Sequence, residues 1–206
     1  MCHRAPTKRN PPDVAARRRP RNPAGLLLWP GAGTDSSHPS LKSIEDGITE
    51  MPVCRLDFQY RKDDRKAPDR APKLIASVVE EVERVAGELD VSPDRLVIGG
   101  RSMGGRMCSM AIAEGLKVAG VVLIAYPLHP PGKPEKMRTE HLPELRGPSL
   151  WLCGDRDPFG SPEEIAEAQQ MVSGQVTSRT LKGRHDLKTA DAAILAEIRD
   201  WLGLDS

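Results

Sequence analysis

The apolar run Leu96-Val97-Ile98 leads straight into Gly99-Gly100-Arg101-Ser102-Met103-Gly104-Gly105. This is a G-x-S-x-G pattern behind a strand and in front of a helix, a nucleophile elbow. It constrains the fold because a strand that turns directly into a helix brings backbone segments too close for side chains, and glycine has none. The serine at the apex takes a strained conformation and presents its hydroxyl at the strand's tip. The amide of the next residue and the helix N-terminus aim at the same point. Glycine and serine are common, so the pentapeptide carries weight only with a strand before it and a helix after it. Both are here.

From Gly25 onward, strand and helix patterns alternate. Leu26 to Trp29 reads as a short buried strand and residues 30–39 as a loop. Residues 40–50 read as a short helix capped by Ser40, Val53 to Phe58 as a strand, and 59–70 as a charged loop. Leu74, Ile75, Val78, Val79, Val82, Val85, Ala86 and Leu89 recur on one helical face, and Ser92-Pro93-Asp94 ends that helix. The elbow strand follows, then a helix over 104–115. Val118 to Ala125 is a continuous apolar run, the mark of a strand buried on both faces. After a proline-rich loop, 127–147, come a strand at Ser149–Cys153 and a helix at Glu163–Val172. Ser161 is that helix's N-cap and Pro162 sits in its first turn. The strand Val176–Leu181 and an amphipathic helix over 188–202 close the chain. Such alternation predicts an α/β fold, a mostly parallel sheet with helices on both faces. Its site is expected at the carboxyl ends of the strands.

The 206 residues suffice for one domain with a sizeable core. Charge is unevenly placed: seven basic residues in 1–24 (Arg4, Lys8, Arg9, Arg17, Arg18, Arg19, Arg21) face one acid, Asp13. Five prolines punctuate the same stretch. A basic, proline-rich, apolar-poor segment cannot bury enough surface to order itself. Residues 1–24 are therefore expected to be a disordered leader before a domain at 25–206. A solvated tail is the plainer reading of Arg17-Arg18-Arg19, so a nucleic-acid partner is not expected. The leader lacks the apolar middle of a secretory signal, and its arginines alone leave an organelle transit peptide open. No window reaches the ~18–20 apolar residues of a membrane span. Cys2, Cys54, Cys108 and Cys153 form no CxxC pair and no metal spacing. Cys54, Cys108 and Cys153 read as reduced buried thiols of a cytoplasmic protein.

A serine hydroxyl is a poor nucleophile at neutral pH and needs a base, which needs an orienting acid. In this architecture the chain order is serine, then acid, then histidine. Gly154-Asp155-Arg156-Asp157-Pro158 follows one strand, and Gly183-Arg184-His185-Asp186 follows the last. His185 is the only histidine beyond residue 141, so it is the expected base. Asp157, deeper in its loop, is preferred as the acid. Asp155 is the alternative, with a bland reading as a loop carboxylate paired with Arg156 or capping a turn. Asp186 reads as local structure. An oxyanion needs two aimed amides. Met103 offers one, and the loop Pro30-Gly31-Ala32-Gly33-Thr34, through Ala32 or Gly33, offers the other. That loop could equally be a simple turn. Neither G-x-G-x-x-G nor a Walker lysine is present, so nucleotide binding is not expected. His38, His129 and His141 have no partner at helical i, i+4 spacing, so neither metal nor cofactor is expected. The loop between His129 and His141 reads as a substrate entrance or a rigid connector.

Taken together, Gly31-Ala32-Gly33, Gly99 to Arg106, Tyr126-Pro127-Leu128-His129-Pro130-Pro131-Gly132-Lys133-Pro134, Gly154 to Gly160 and His185-Asp186 resemble one family. It is the α/β-hydrolase domain of small bacterial proteins, similar to the testis-expressed hydrolase-like proteins and the hydrolase-like subunit of the NSL chromatin complex. The group is a distant relative of dienelactone hydrolases. The resemblance covers residues 25 to about 203. It implies an α/β-hydrolase fold with Ser102, Asp157 and His185 as a triad, and a weakly defined substrate. Where the family usually begins its loop His-Gly-Ala-Gly, this chain has Trp29-Pro30-Gly31-Ala32-Gly33. The amino-terminal edge hairpin of larger hydrolases and an inserted cap domain both look absent, which implies a compact, open site. Two readings follow. One is a serine hydrolase cleaving a small or exposed ester, thioester or amide, a small-molecule acyl substrate. The other is a non-catalytic interaction protein on the same fold. The first is favoured because nucleophile, acid, base and oxyanion loop are all retained.

Overall fold

A computed structural model of the chain describes residues 19–205. Its strands are β1 (Gly25–Trp29), β2 (Val53–Arg55), β3 (Leu96–Arg101), β4 (Gly120–Ile124), β5 (Pro148–Gly154) and β6 (Gln175–Leu181). They form one sheet in the order β2-β1-β3-β4-β5-β6, every neighbouring pair parallel. The helices are α1 (Pro39–Gly47), α2 (Gln59–Lys62), α3 (Ala71–Glu88), α4 (Met103–Ala113), α5 (Pro162–Gln169) and α6 (Asp191–Leu202).

The two-residue period of a strand divides the core in two. On one face Leu27, Trp29, Ile98, Leu123 and Trp151 pack with the apolar stripe of α3 and with α4 and α5. On the other, Leu26, Leu28, Val97, Val122 and Leu150 pack with Leu41 and Ile44 of α1 and Ile194 and Ile198 of α6. This is the α/β architecture expected, with helices on both faces.

The strand order positions the site. The chain runs outward from β1 to the edge strand β2, then crosses back so that β3 lies against the other side of β1. The direction of winding reverses between β1 and β3, and the loops leaving their carboxyl ends diverge there into a crevice. The elbow after β3 and the glycine loop after β1 are therefore neighbours. A Cβ on Gly31 would stand 3.5 Å from Ser102 Cβ.

Several element bounds differ from expectation, each for a local reason. Helix α1 is capped by His38, whose side chain accepts from the Ser40 amide, while Pro39 fills the first turn; Ser40 itself lies buried inside. Strand β2 stops at Arg55, after which the chain bends to bury Phe58 and Tyr60, and a short helix, α2, stands in the expected loop. Ser161 caps α5 as expected, in a reciprocal box with Glu164. Cys108 and Cys153 are buried, but Cys54 on the edge strand is only half-buried; all three thiols are free. Burial pushes the Cys153 thiol up to about 12. At the start of the described residues Arg19 pairs with Asp200 at 3.0 Å and the Ala24 amide donates to the Arg95 carbonyl. Residues 1–18 of the expected leader, with Cys2, lie outside the described residues. Among the described residues no helix is long and apolar enough to cross a membrane.

Candidate active site

Between β3 and α4, Ser102 has φ 48° and ψ −116°, a left-handed conformation that costs a non-glycine residue about 1–3 kcal/mol. The flanking glycines make the turn feasible. A Cβ on Gly100 would stand 2.1 Å, and one on Gly104 2.4 Å, from the Trp29 carbonyl oxygen. The strained residue is clamped on both sides: its amide donates to the Ile124 carbonyl (2.8 Å), and its carbonyl accepts from the Arg106 amide (3.0 Å).

The serine hydroxyl reaches His185, Oγ to Nε2 2.8 Å. On the far side of the ring, Nδ1 lies 2.8 and 3.1 Å from the two carboxylate oxygens of Asp157. A carboxylate only accepts, so Nδ1 carries the proton and Nε2 is left to accept from the serine. Asp157 is 6% exposed, and its Oδ1 also accepts from the Phe159 amide at 2.8 Å. The Phe159 ring stacks on the imidazole, centroids 3.9 Å apart. One phenylalanine thus holds the acid through its backbone and the base through its ring. Its position two residues past Asp157 is a signal that sequence reasoning passed over.

Asp155 is engaged elsewhere. Its Oδ1 accepts from the Gly183 amide at 2.8 Å and its amide donates to the Leu181 carbonyl, joining the loops after β5 and β6. The turn bond, more than Arg156, holds its carboxyl below the usual range. It supports the histidine loop without touching the imidazole.

Arg101 was also missed. It precedes Ser102 at the end of β3 and is 5% exposed. Its guanidinium donates to the Asp186 carbonyl (2.6 Å), the His185 carbonyl (3.4 Å) and Ser40 Oγ (3.2 Å). The backbone carrying the histidine is thereby tied to the strand carrying the serine. Burial pulls the guanidinium below its ordinary value, and the charges of Asp191, Asp186 and Asp157 oppose that shift. His38 stands behind, Nδ1 2.9 Å from Ser40 Oγ, lowered first by burial and then by Arg101. A charged residue at a strand end buried on both faces was the available clue.

A cavity of about 320 Å³ opens in front of Ser102. Ala32, Met103, Met107, Pro127 and Phe159 line it, with Arg106 and Arg138. Met103 is the first residue of α4, where no preceding turn takes the amide. The buried Tyr60 donates its hydroxyl to the Ala32 carbonyl at 3.0 Å and so fixes the glycine loop. Gly33 is exposed and does not line the cavity. Of the residues expected at the site, Ser102, Asp157 and His185 therefore form one hydrogen-bonded chain, Met103 and Ala32 stand beside it, and Gly33 stands away. The loop after β4 borders this cavity. Pro127 and Arg138 face the cavity, while His129 donates to the Pro130 carbonyl (2.8 Å) and faces Glu164 (3.3 Å). Among the described residues no cluster of histidine, cysteine and carboxylates could hold a metal.

Residues 22–197 match the sequence family described as alpha/beta hydrolase domain. Among solved structures, dienelactone hydrolase from Anabaena variabilis superposes with a TM-score of 0.72 at 18% identity, covering 90% of this chain and 88% of that one. An alpha-beta serine hydrolase homologue from Coxiella burnetii gives 0.68 at 17% identity, covering 91% and 88%. A serine hydrolase without lid from Xanthomonas campestris gives 0.66 at 16% identity, covering 86% and 82%. At such identities the likeness is one of fold.

Proposed function

The chain belongs to the alpha/beta hydrolase domain family, and on that premise we propose that it is a serine hydrolase cleaving an ester, thioester or amide through an acyl-enzyme. The observation that carries the reading is the unbroken hydrogen-bond chain from Ser102 Oγ through His185 to the buried Asp157. In the first half-reaction Ser102 Oγ attacks the acyl carbon as its proton passes to His185 Nε2. Asp157 holds the imidazole in the required tautomer and stabilises the imidazolium that forms. The tetrahedral oxyanion is bound by the Met103 amide and by an amide of the loop after β1, where Ala32 lines the cavity. His185 then gives its proton to the leaving group, whose bond to the acyl carbon breaks. A water molecule attacks the acyl-serine by the same route and releases the acid.

Among the described residues no inserted domain stands over the cavity, which suits a small or exposed acyl group. The motifs around Gly31, Arg106 and Pro134 support placing the chain with the small bacterial proteins similar to the testis-expressed and NSL-complex hydrolase-like domains. Free thiols at Cys54, Cys108 and Cys153 suit a reducing, cytoplasmic compartment. A fluorophosphonate probe tests the reading. One equivalent should attach to the purified protein, and peptide mapping should find it on Ser102. Protein that stays unlabelled and turns over none of a panel of acyl esters would instead be a binding scaffold.

A further inference from the structure

Two arginines share the cavity wall with Ser102, and among the described residues neither is paired with an acid. Arg106 lies in the first turn of α4 and lines the same cavity as Ser102. Its Nε is buried and has no hydrogen-bond partner. Arg138 reaches the cavity from the loop after β4. The loop after β4 holds it in place, its amide on the Leu128 carbonyl at 2.8 Å and Nη1 on the Pro127 carbonyl at 3.3 Å. Burial, and then the charge of Arg106, push the Arg138 guanidinium below its ordinary value.

Two cations held together in a half-buried cavity repel, so the arrangement is unfavourable until an anion completes it. Among the described residues no group supplies that anion. Asp69, the one carboxylate on the wall, is already held by Arg65 at 2.9 Å and Lys73 at 3.2 Å. His141, behind the pair, is pushed down to about 4, chiefly by burial, and is neutral at pH 7. A guanidinium fork matches the plane of a carboxylate, and the fit is strongest where water is partly excluded. We infer that Arg106 and Arg138 form a carboxylate-binding subsite, and that the acyl group this protein accepts carries a carboxylate a few bonds from the scissile carbonyl. A half-ester of a short dicarboxylic acid has that form. The inference rests on Ser102 being the nucleophile.

The test compares two activated esters of one chain length, p-nitrophenyl hydrogen glutarate and p-nitrophenyl methyl glutarate, after subtraction of uncatalysed hydrolysis. The full chain should prefer the free acid by about 10- to 100-fold in kcat/KM, as expected for hydrogen bonds to a charged group. Arg106→Gln and Arg138→Gln should each bring that ratio close to one, and the lysine variants should keep part of it. A ratio near one in the unaltered protein, or a ratio untouched in both glutamine variants, overturns the subsite while leaving the hydrolase standing. A second measurement needs no turnover: methyl hydrogen glutarate titrated into the Ser102→Ala protein by calorimetry. Saturable binding that disappears on adding Arg138→Gln is expected, and absence of binding overturns the subsite. Binding without any Ser102-dependent labelling or hydrolysis would keep the anion site and remove the hydrolase reading.

Discussion

Among the described residues two serines stand at the same distance from a histidine Nε2, and only one of these two pairs is built for nucleophilic chemistry. Ser102 Oγ and Ser109 Oγ each lie 2.8 Å from the Nε2 of a histidine, His185 and His141 respectively. Both serines belong to the segment that starts at the elbow. The difference lies in where the protons go. Ser109 sits inside α4 and donates its hydroxyl to the Arg106 carbonyl at 2.8 Å, so it can only accept from His141. Ser102 precedes the helix and has no other hydroxyl partner among the described residues, so its proton is directed at His185. Behind His185 stands a buried carboxylate. Around His141 stand Tyr126, 3.2 Å away, and the charge of Arg106, and burial makes its protonated form unfavourable. A close oxygen–nitrogen contact alone therefore says nothing of reactivity. Polarity of the bond, an acid behind the base and access to a cavity decide it.

The comparison breaks first at the serines. Ser102→Ala should abolish fluorophosphonate labelling and lower kcat/KM on an activated ester by about 10⁴-fold or more. Ser109→Ala should be labelled at the rate of the unaltered protein. Labelling that follows Ser109 would reverse the assignment of the two pairs.

The acids sharpen it next. Asp157→Asn should lower kcat by roughly 10²–10⁴-fold, because the amide can hold the imidazole in the wrong tautomer. Asp155→Asn removes the charge, but its remaining amide oxygen can still accept from the Gly183 amide, and His185 stays in contact with its acid, so a loss of less than about tenfold is expected. Steady-state kinetics on one ester rank the two, and the reverse order would make Asp155 the working acid.

These differences were unequally legible in the chain. The elbow is local: a strand, close-set glycines and a helix are all within ten residues, and steric argument alone places Ser102 at the apex. Asp157 and His185 follow from the order in which a parallel sheet presents its loops. The supports of the site are not local. Arg101 reaches Asp186 across 85 positions, and Tyr60 reaches Ala32 across 28. Which strand lies beside β3 decides such meetings, and that depends on the crossover from β2, which no periodicity reveals. The misplacement of the α1 cap is of another kind. Serine is the commoner cap, but Pro39 is suited to the first helical position, which leaves His38 to accept from the amide within. Gly33 was expected beside the oxyanion because a glycine permits close approach. In the fold the close approach is made by Gly31, and Gly33 is turned to open space.

The smallest effect concerns His141 and reads stability rather than rate. In the folded protein its imidazole takes a proton only near about 4, whereas an unfolded histidine takes one near ~6.5. Between those values the unfolded chain binds more protons than the folded one, so protonation favours unfolding. The sign is therefore fixed: the neutral, buried form contributes fully above the unfolded value, and its contribution is lost as pH falls toward about 4. The shift bounds the loss at roughly 3 kcal/mol, and partial exposure of the side chain reduces it. For a domain of this size, at about 2–4 °C per kcal/mol, the upper bound is roughly 10 °C in Tm, lowered by that exposure. His141→Gln keeps hydrogen-bonding capacity but cannot take up the proton. Its Tm should fall less steeply than that of the unaltered protein between pH ~6.5 and ~4, measured by calorimetry in matched buffers. Parallel curves would mean that His141 is charged in the fold, and that the contrast with His185 rests on the serines alone.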